Sequence, residues 1–429
     1  MMEKYSNKIG RIPNDWDFVN AKDCISLESG MRPKEYVTDV ETDIPSLGGE
    51  NIDDKGFLVF DNIRYISPSY YKKMKKGQIQ DNDIFINKDG ANTGKVAYSK
   101  IKPFPECAVN EHVFLIRNNG TFVQQYLFYC LLANFGKQQI LKKVIGSAQE
   151  GINNSFTKGI ILPKPSLAEQ TAIAAILSKV DEAIAAVQAS IAAAERLKKS
   201  LMQNLLTGRM KPDGTLRKED EFYVDEKFGR VPLGWEVKTI GDKDVCKINP
   251  VYKYKKKEVY DFIPMEAIKE NFEGVDYVEK QIIDNGSYTR FKAGDILFAK
   301  ITPCSENGKV AYIDHIDSEV GFASTEFIVF HPTENVDGRF VYLLLSSGNV
   351  HRLAISLMEG TTGRQRIPWK IFRNRIFVPM PDKVEQTIIV DKILAFDKQI
   401  KENNNKIAVL ERLKKSLMQN LLTGKVRVK

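Results

Sequence analysis

Glu195-Arg196-Leu197-Lys198-Lys199-Ser200-Leu201-Met202-Gln203-Asn204-Leu205-Leu206-Thr207-Gly208 recurs without a change as Glu411 to Gly424, an offset of 216 residues. Identity over fourteen consecutive positions excludes chance, so the chain is an internal duplication. Glu169-Gln170-Thr171 returns at the same offset as Glu385-Gln386-Thr387. Further out, Gly10-Arg11-Ile12-Pro13 followed by Trp16 matches Gly229-Arg230-Val231-Pro232 followed by Trp235. Gly94-Lys95-Val96-Ala97-Tyr98 matches Gly308-Lys309-Val310-Ala311-Tyr312, and Leu162-Pro163-x-Pro165 matches Val378-Pro379-x-Pro381. Between these landmarks the halves diverge. Two copies fall short of a solenoid, so the unit duplicated is one domain plus one helix.

The repeated stretch ends a long helix. Ser166-Leu167-Ala168-Glu169 has the form of a capping box, and Asp382-Lys383-Val384-Glu385 holds the same place in the second half. Apolar residues then alternate in steps of four and three at Ile173, Leu177, Val180, Ile184, Val187 and Ile191, the seam of a coiled coil. The second seam reads Ile389, Ile393, Phe396, Ile400, Asn403 and Ile407, with Asn403 a candidate for setting register. Gly208 and Gly424 follow as stop signals. Each helix is expected to run about 40 residues, or on the order of 60 Å. Packing against its own domain is the plainer account of such a stripe, but the heptad phase matches in both copies.

At 429 residues, with 43% hydrophobic and 28% charged residues, the chain reads as a soluble protein of two domains. No run approaches the roughly 18 apolar residues of a membrane span, and Met1 to Lys8 lacks the apolar core of a signal peptide. Cys24, Cys107, Cys130, Cys246 and Cys304 are scattered and odd in number, which argues against disulfides or structural zinc and for reduced, buried thiols in the cytoplasm. A net charge of +8 leans mildly toward polyanions such as nucleic acid.

These signals place a mixed α/β (α+β) domain at residues 1–165, a helix at 166–208, a linker at 209–221, a second domain at 222–381, a second helix at 382–424 and a basic tail at 425–429. In each domain a strand (Asp83-Ile84-Phe85-Ile86 or Asp295-Ile296-Leu297-Phe298) is followed by a Gly/Asn-rich hairpin turn and a Val-Ala-Tyr strand. Helical periodicity covers 122–144 and 340–358, and each helix is followed by a polar loop, 146–154 or 360–366. Asn, Gln and Arg are the side chains able to read base edges bidentately. The candidate DNA-contacting residues are therefore Lys88, Asn92, Thr93 and Lys95 in the first turn, and Gln149, Asn153 and Asn154 in the first loop. Their counterparts are Lys300, Ser305, Asn307 and Lys309, then Arg364, Gln365 and Arg366. A solvent-facing loop explains the same composition, and a solvated surface explains the basic runs 72–76 and 252–257.

Chemistry-bearing motifs fail on inspection. Gly90-Ala91-Asn92-Thr93-Gly94-Lys95 has too short a gap and no following Ser/Thr for a phosphate loop. Asn249-Pro250-Val251-Tyr252 echoes the Asn-Pro-Pro-Tyr type of methyltransferase motif, but its third residue differs and no glycine-rich turn precedes it. His112, His315, His331 and His351 lack metal-ligand spacing, and no catalytic constellation is visible.

The doubled order of Gly-x-[Ile/Val]-Pro-x-x-Trp openings, Glu-Gln helix starts and Leu-Leu-Thr-Gly helix ends resembles the specificity subunit of type I restriction-modification systems over essentially the whole chain. The resemblance implies two target-recognition domains, each reading half of a split DNA site. The two helices would pair antiparallel in a pseudo-two-fold arrangement, set the spacing and dock two modification (methyltransferase) subunits. S-adenosylmethionine would belong to those subunits, and ATP and magnesium to restriction subunits, with no cofactor or metal on this chain. Rival readings are a self-contained methyltransferase or nuclease fusion and a coiled-coil adaptor binding protein alone.

Overall fold

The computed structural model describes residues 9–10, 12–33, 36, 43–146, 150–284, 287–361 and 363–428. The chain divides into two compact units, residues 1–188 with 405–429 and residues 189–404. The division falls inside both long helices, so each unit takes one domain, the start of the helix that follows it and the end of the other helix.

The first unit centres on a four-stranded antiparallel sheet in the order Ile25–Ser29, Val113–Asn118, Asp83–Asn87, Val96–Ser99. Side chains alternate across a strand, so Ile84 and Ile86 join one core with Tyr126, Leu127 and Ile140, while Phe85 joins another with Leu47, Ile52 and Leu115. The sheet is thus a middle layer, helices on one face and a three-stranded sheet (Arg64–Ile66, Ile44–Leu47, Ala108–Val109) on the other. With both faces covered, Asp83–Asn87 is buried throughout and its three central residues are all apolar.

The second unit repeats this plan. Its sheet runs Cys246–Ile248, Phe327–Pro332, Ile296–Ala299, Val310–Tyr312. Ile296 and Phe298 pack with Phe340 and Leu344, and Leu297 and Ala299 pack with Ile263 and Ile268. A short pair closes each domain, Asp17–Asn20 on Ile161–Lys164 and Glu236–Thr239 on Phe377–Met380. This pairing returns each domain's end to its beginning, where the long helix starts.

The helical periodicity over 122–144 and 340–358 resolves into two helices in each case, Gln124–Leu132 with Asn134–Leu141 and Gly338–Ser346 with Gly348–Ser356. Ala133 breaks the first with an extended ψ of 154°, and Gly136 then sits where a Cβ would come within 2.1 Å of the Cys130 carbonyl oxygen. Ser347 breaks the second, and its hydroxyl accepts the Val350 N–H at 3.4 Å.

The long helices span Leu167–Leu206 and Lys383–Leu421. Gly208 and Gly424 end them at the same left-handed φ of 67°. Ser166 Oγ accepts the Glu169 N–H and Asp382 Oδ1 accepts the Glu385 N–H, but the reciprocal half of the capping box is absent because both glutamates are engaged elsewhere. The helices run antiparallel, with Asp181 against Lys414 in the first unit and Asp397 against Lys198 in the second. Seam residues divide by position. Ile173 and Leu177 enter the first domain's core together with Met418, Leu421 and Leu422, and Ile389 and Ile393 enter the second with Leu205 and Leu206. Val180, Ile184 and Val187 are also buried, whereas Ile191, Phe396, Ile400, Asn403 and Ile407 remain half-buried. Asn403 Nδ2 donates to Ser190 Oγ at 3.3 Å, a polar contact across the seam.

All five cysteines are free, and four are buried; Cys304 is partly exposed, against the expectation that all are inside. Burial pushes the Cys24 and Cys107 thiols up to about 11 and those of Cys130 and Cys246 higher still, so at neutral pH they are neither thiolates nor accessible. Ellman's reagent on the native protein should therefore show Cys304 alone as a fast thiol, with all five reacting in denaturant; several fast native thiols would contradict this packing.

Candidate nucleic-acid interface

The repeated residues build one joint, twice. In the first unit the Trp16 Nε1–H donates to Glu169 Oε2 at 3.1 Å, and Arg427 bridges Glu169 (2.7 Å) and Asp15 (2.7 Å) while its guanidinium lies 5.6 Å from the Trp16 ring centre. In the second, Trp235 Nε1–H donates to Glu385 Oε2 at 2.9 Å, Arg217 pairs with Glu385 at 2.6 Å, and its guanidinium stands 5.2 Å from the ring centre. A Cβ on Gly424 would lie 2.4 Å from Pro13, and one on Gly208 2.2 Å from Pro232, so only glycine admits these prolines. The neighbouring glutamines act alike: Gln170 accepts the Val123 N–H and donates to the Pro165 carbonyl, and Gln386 accepts the Asp337 N–H and donates to the Pro381 carbonyl. What the two halves share is the joint between domain and helices. Arg217 and Arg427 carry no repeat signal, since one lies in the linker and the other in the tail.

The divergent residues lie elsewhere. In each unit the structure zips the hairpin turn to the loop that follows the helices. Gly90 N–H donates to the Glu150 carbonyl at 3.0 Å and Ile152 N–H to the Lys88 carbonyl at 2.7 Å, while Asp89 faces Gly151 in a β-bridge. In the second unit Ile367 N–H donates to the Lys300 carbonyl at 2.8 Å and Thr302 N–H to the Gln365 carbonyl at 3.1 Å, with Ile301 facing Arg366. Segments some 60 residues apart in sequence thus form one polar ridge per unit. Sequence reasoning named both segments in each domain without their pairing.

Placement of the individual candidates varies. Lys88 lies over the Phe114 ring and, with Asn153 and Asn154, lines an open recess of about 510 Å³. Asn92 donates to the Gly49 carbonyl, Thr93 donates to the Gly90 carbonyl, and Lys95 pairs with Asp54 at 3.4 Å. Asn153 and Asn154 are both exposed, and the Asn153 side chain accepts from the Ser155 N–H and hydroxyl. Gln149 lies outside the described residues. Lys300 donates to the Thr325 carbonyl, Asn307 to Glu270 and Lys309 to the Met265 carbonyl. Ser305 is buried, with its carbonyl 2.8 Å from His351 Nε2, which puts its hydroxyl beyond reach of a duplex. Arg364 is exposed, Gln365 half-buried, and Arg366 makes a bidentate pair with Glu326 at 2.9 and 3.0 Å.

Two residues missed from sequence support these ridges. His112 Nδ1 lies 2.6 Å from Asp89 in the first, and Glu326 occupies the equivalent place in the second, since the Lys88 N–H donates to the His112 carbonyl as the Lys300 N–H does to that of Glu326. Their only sequence signal is position just before matching strands. Tyr252 of the Asn-Pro-Val-Tyr run donates to buried Asp295, and Asn249 Oδ1 accepts the Val329 N–H, so that motif is spent on packing. Among the described residues no group of three or more His, Cys, Asp or Glu could hold a metal ion, and no helix is long and apolar enough to cross a membrane.

The sequence profile described as "Type I restriction modification DNA specificity domain" matches residues 13–196 and 232–412, one copy per half. The chain belongs to that family. Each matched copy of the specificity domain opens at the Pro-x-x-Trp of one joint and ends in a long helix. The MjaVIII type I restriction enzyme specificity subunit of Methanocaldococcus jannaschii is 26% identical over 430 residues, covering 98% of this chain and 95% of the relative. The EcoEI specificity subunit of Escherichia coli is 35% identical over 176 residues, 39% of this chain and 28% of the relative. The fold is that of the crystal structure of a type I restriction-modification S subunit from M. genitalium, with a TM-score of 0.56 at 16% identity over 96% of this chain and 97% of the other.

Proposed function

We propose that the chain is the specificity component of a type I restriction-modification complex, in which each domain reads half of a bipartite DNA site and other subunits carry out the chemistry. The observation that carries this reading is the contrast between a joint whose tryptophan–glutamate bond is the same in both units and a ridge whose polar residues differ between them. Duplicated scaffolds with unlike readers address unlike half-sites. Family membership supports the same reading.

The helices would hold the spacing between half-sites and dock two methyltransferase subunits. Identical solvent-facing residues support this: Leu197 and Leu413, equivalent in the repeat, stay 52% and 46% exposed although burial would favour them. Two matched exposed leucines offer two copies of one partner equivalent contact points. S-adenosylmethionine would bind in those partners, and ATP and magnesium in restriction subunits, leaving none on this chain; the assembly would work in the cytoplasm.

Mobility-shift assays of the chain with its methyltransferase subunits across random duplexes should select one asymmetric bipartite sequence. Uniform, salt-sensitive binding to every duplex would reject the reading. Labelled S-adenosylmethionine with pure chain and DNA should give no transfer; transfer would make the chain an enzyme. Deleting one heptad, Ala185–Ile191, removes about 10 Å of helix. The tolerated spacer should change or assembly fail, and an unchanged spacer in an intact complex would remove the helices' measuring role.

A further inference from the structure

We propose that Arg366, braced by Glu326, reads a guanine in the half-site addressed by the second domain; this rests on the DNA-reading assignment above. A guanidinium has two edges able to form paired hydrogen bonds. Glu326 occupies one of them, with Nε to Oε2 at 3.0 Å and Nη2 to Oε1 at 2.9 Å. The Nη1/Nη2 edge has no partner among the described residues, and the side chain is 50% exposed. Guanine is the base that presents two adjacent acceptors, O6 and N7, in the major groove, and an arginine fork matches them.

The carboxylate also decides against the simpler role of phosphate contact. A negative group on the same guanidinium weakens its pull on a phosphate, whereas it holds the fork in one orientation and reduces the entropy lost on binding a base. Cations suited to phosphate lie within seven residues of it in sequence: Arg364, Lys370 and Arg373 are exposed and have no ion-pair partner among the described residues. The backbone fixes the arginine as well, through hydrogen bonds in both directions with Glu359. The matched place in the first unit holds Gly151, which has no side chain to read a base, beside the His112–Asp89 pair. The guanine requirement therefore falls in one half-site alone.

The test is selection from a randomised double-stranded library by the full-length chain assembled with its methyltransferase subunits, with sequencing of the bound fraction. Wild type should require guanine at one position of one half-site. Arg366→Ala should lower that preference by about ten- to a hundred-fold and leave the other positions unchanged. Arg366→Lys, which keeps the charge without the fork, should lose it too, and Glu326→Gln should weaken it partially. A uniform fall across all sequences in Arg366→Ala that lysine restores would make the residue a phosphate contact and overturn the proposal, as would an unchanged preference. A wild-type chain with no preferred sequence would fail the DNA-reading assignment itself.

Discussion

Trp16→Ala should destabilise the first unit by about 3–5 kcal/mol, the range for removing a buried aromatic side chain. The indole is 1% exposed, and three separate elements meet on it. Its Nε1–H satisfies Glu169 at the start of the first long helix, Arg427 of the tail lies over its face, and its Cη2 lies 3.3 Å from where a Gly424 Cβ would stand, at the end of the second helix. Truncation leaves a cavity and takes one hydrogen bond from a carboxylate that is itself buried. The damage should be local, so amide hydrogen exchange over residues 418–422 is the sharpest readout, alongside the thermal transition. Trp16→Phe should recover most of the packing and not the hydrogen bond. Unaltered exchange at Leu421 and Leu422 in the alanine variant would mean that the joint does not hold the helix end.

Asp181→Ala and Asp397→Ala remove the same residue of the repeat, yet their costs should differ several-fold. The Asp181–Lys414 pair, at 2.6 Å, has side chains only 14% and 10% exposed. Lys414 also donates to the Lys55 carbonyl and lies over the Phe57 and Tyr129 rings, and the Tyr129 hydroxyl donates to Asp181. Removing the aspartate strands a buried ammonium, at a cost of about 3–5 kcal/mol. Asp397 and Lys198 are 44% and 26% exposed, so water takes over when the pair breaks, at a cost of about 0–1 kcal/mol. Urea denaturation of both variants, with Lys414→Met added to remove the stranded charge, checks this. Equal losses at the two sites would show that burial does not set the worth of these pairs.

Much of the site's frame was readable along the chain. The exact repeat implied two copies of one domain and helix, the spacing of Ile173 to Ile191 implied a seam, and Gly208 and Gly424 marked where the helices stop. These are local properties, fixed by periodicity and by the φ that only glycine adopts cheaply. The single-helix reading of 122–144 failed because its break at Ala133 depends on the close approach of Gly136 to a carbonyl, which apolar spacing does not encode. The heptad phase favoured helix pairing over packing on the helices' own domains, whereas Ile173, Leu177, Ile389 and Ile393 serve the domain cores.

Sequence by itself determined that this protein is a doubled domain on doubled helices, with identical ends and unlike middles, because repeats and heptads are one-dimensional signals. Only tertiary structure decided that Arg427 and Arg217, unrelated by the repeat, complete equivalent joints, that Ser305 is buried, and that Arg366 meets Glu326 forty residues away. Such pairings follow from how sheets and loops close in space. Their energies depend on distance and burial, neither of which is written in the order of residues.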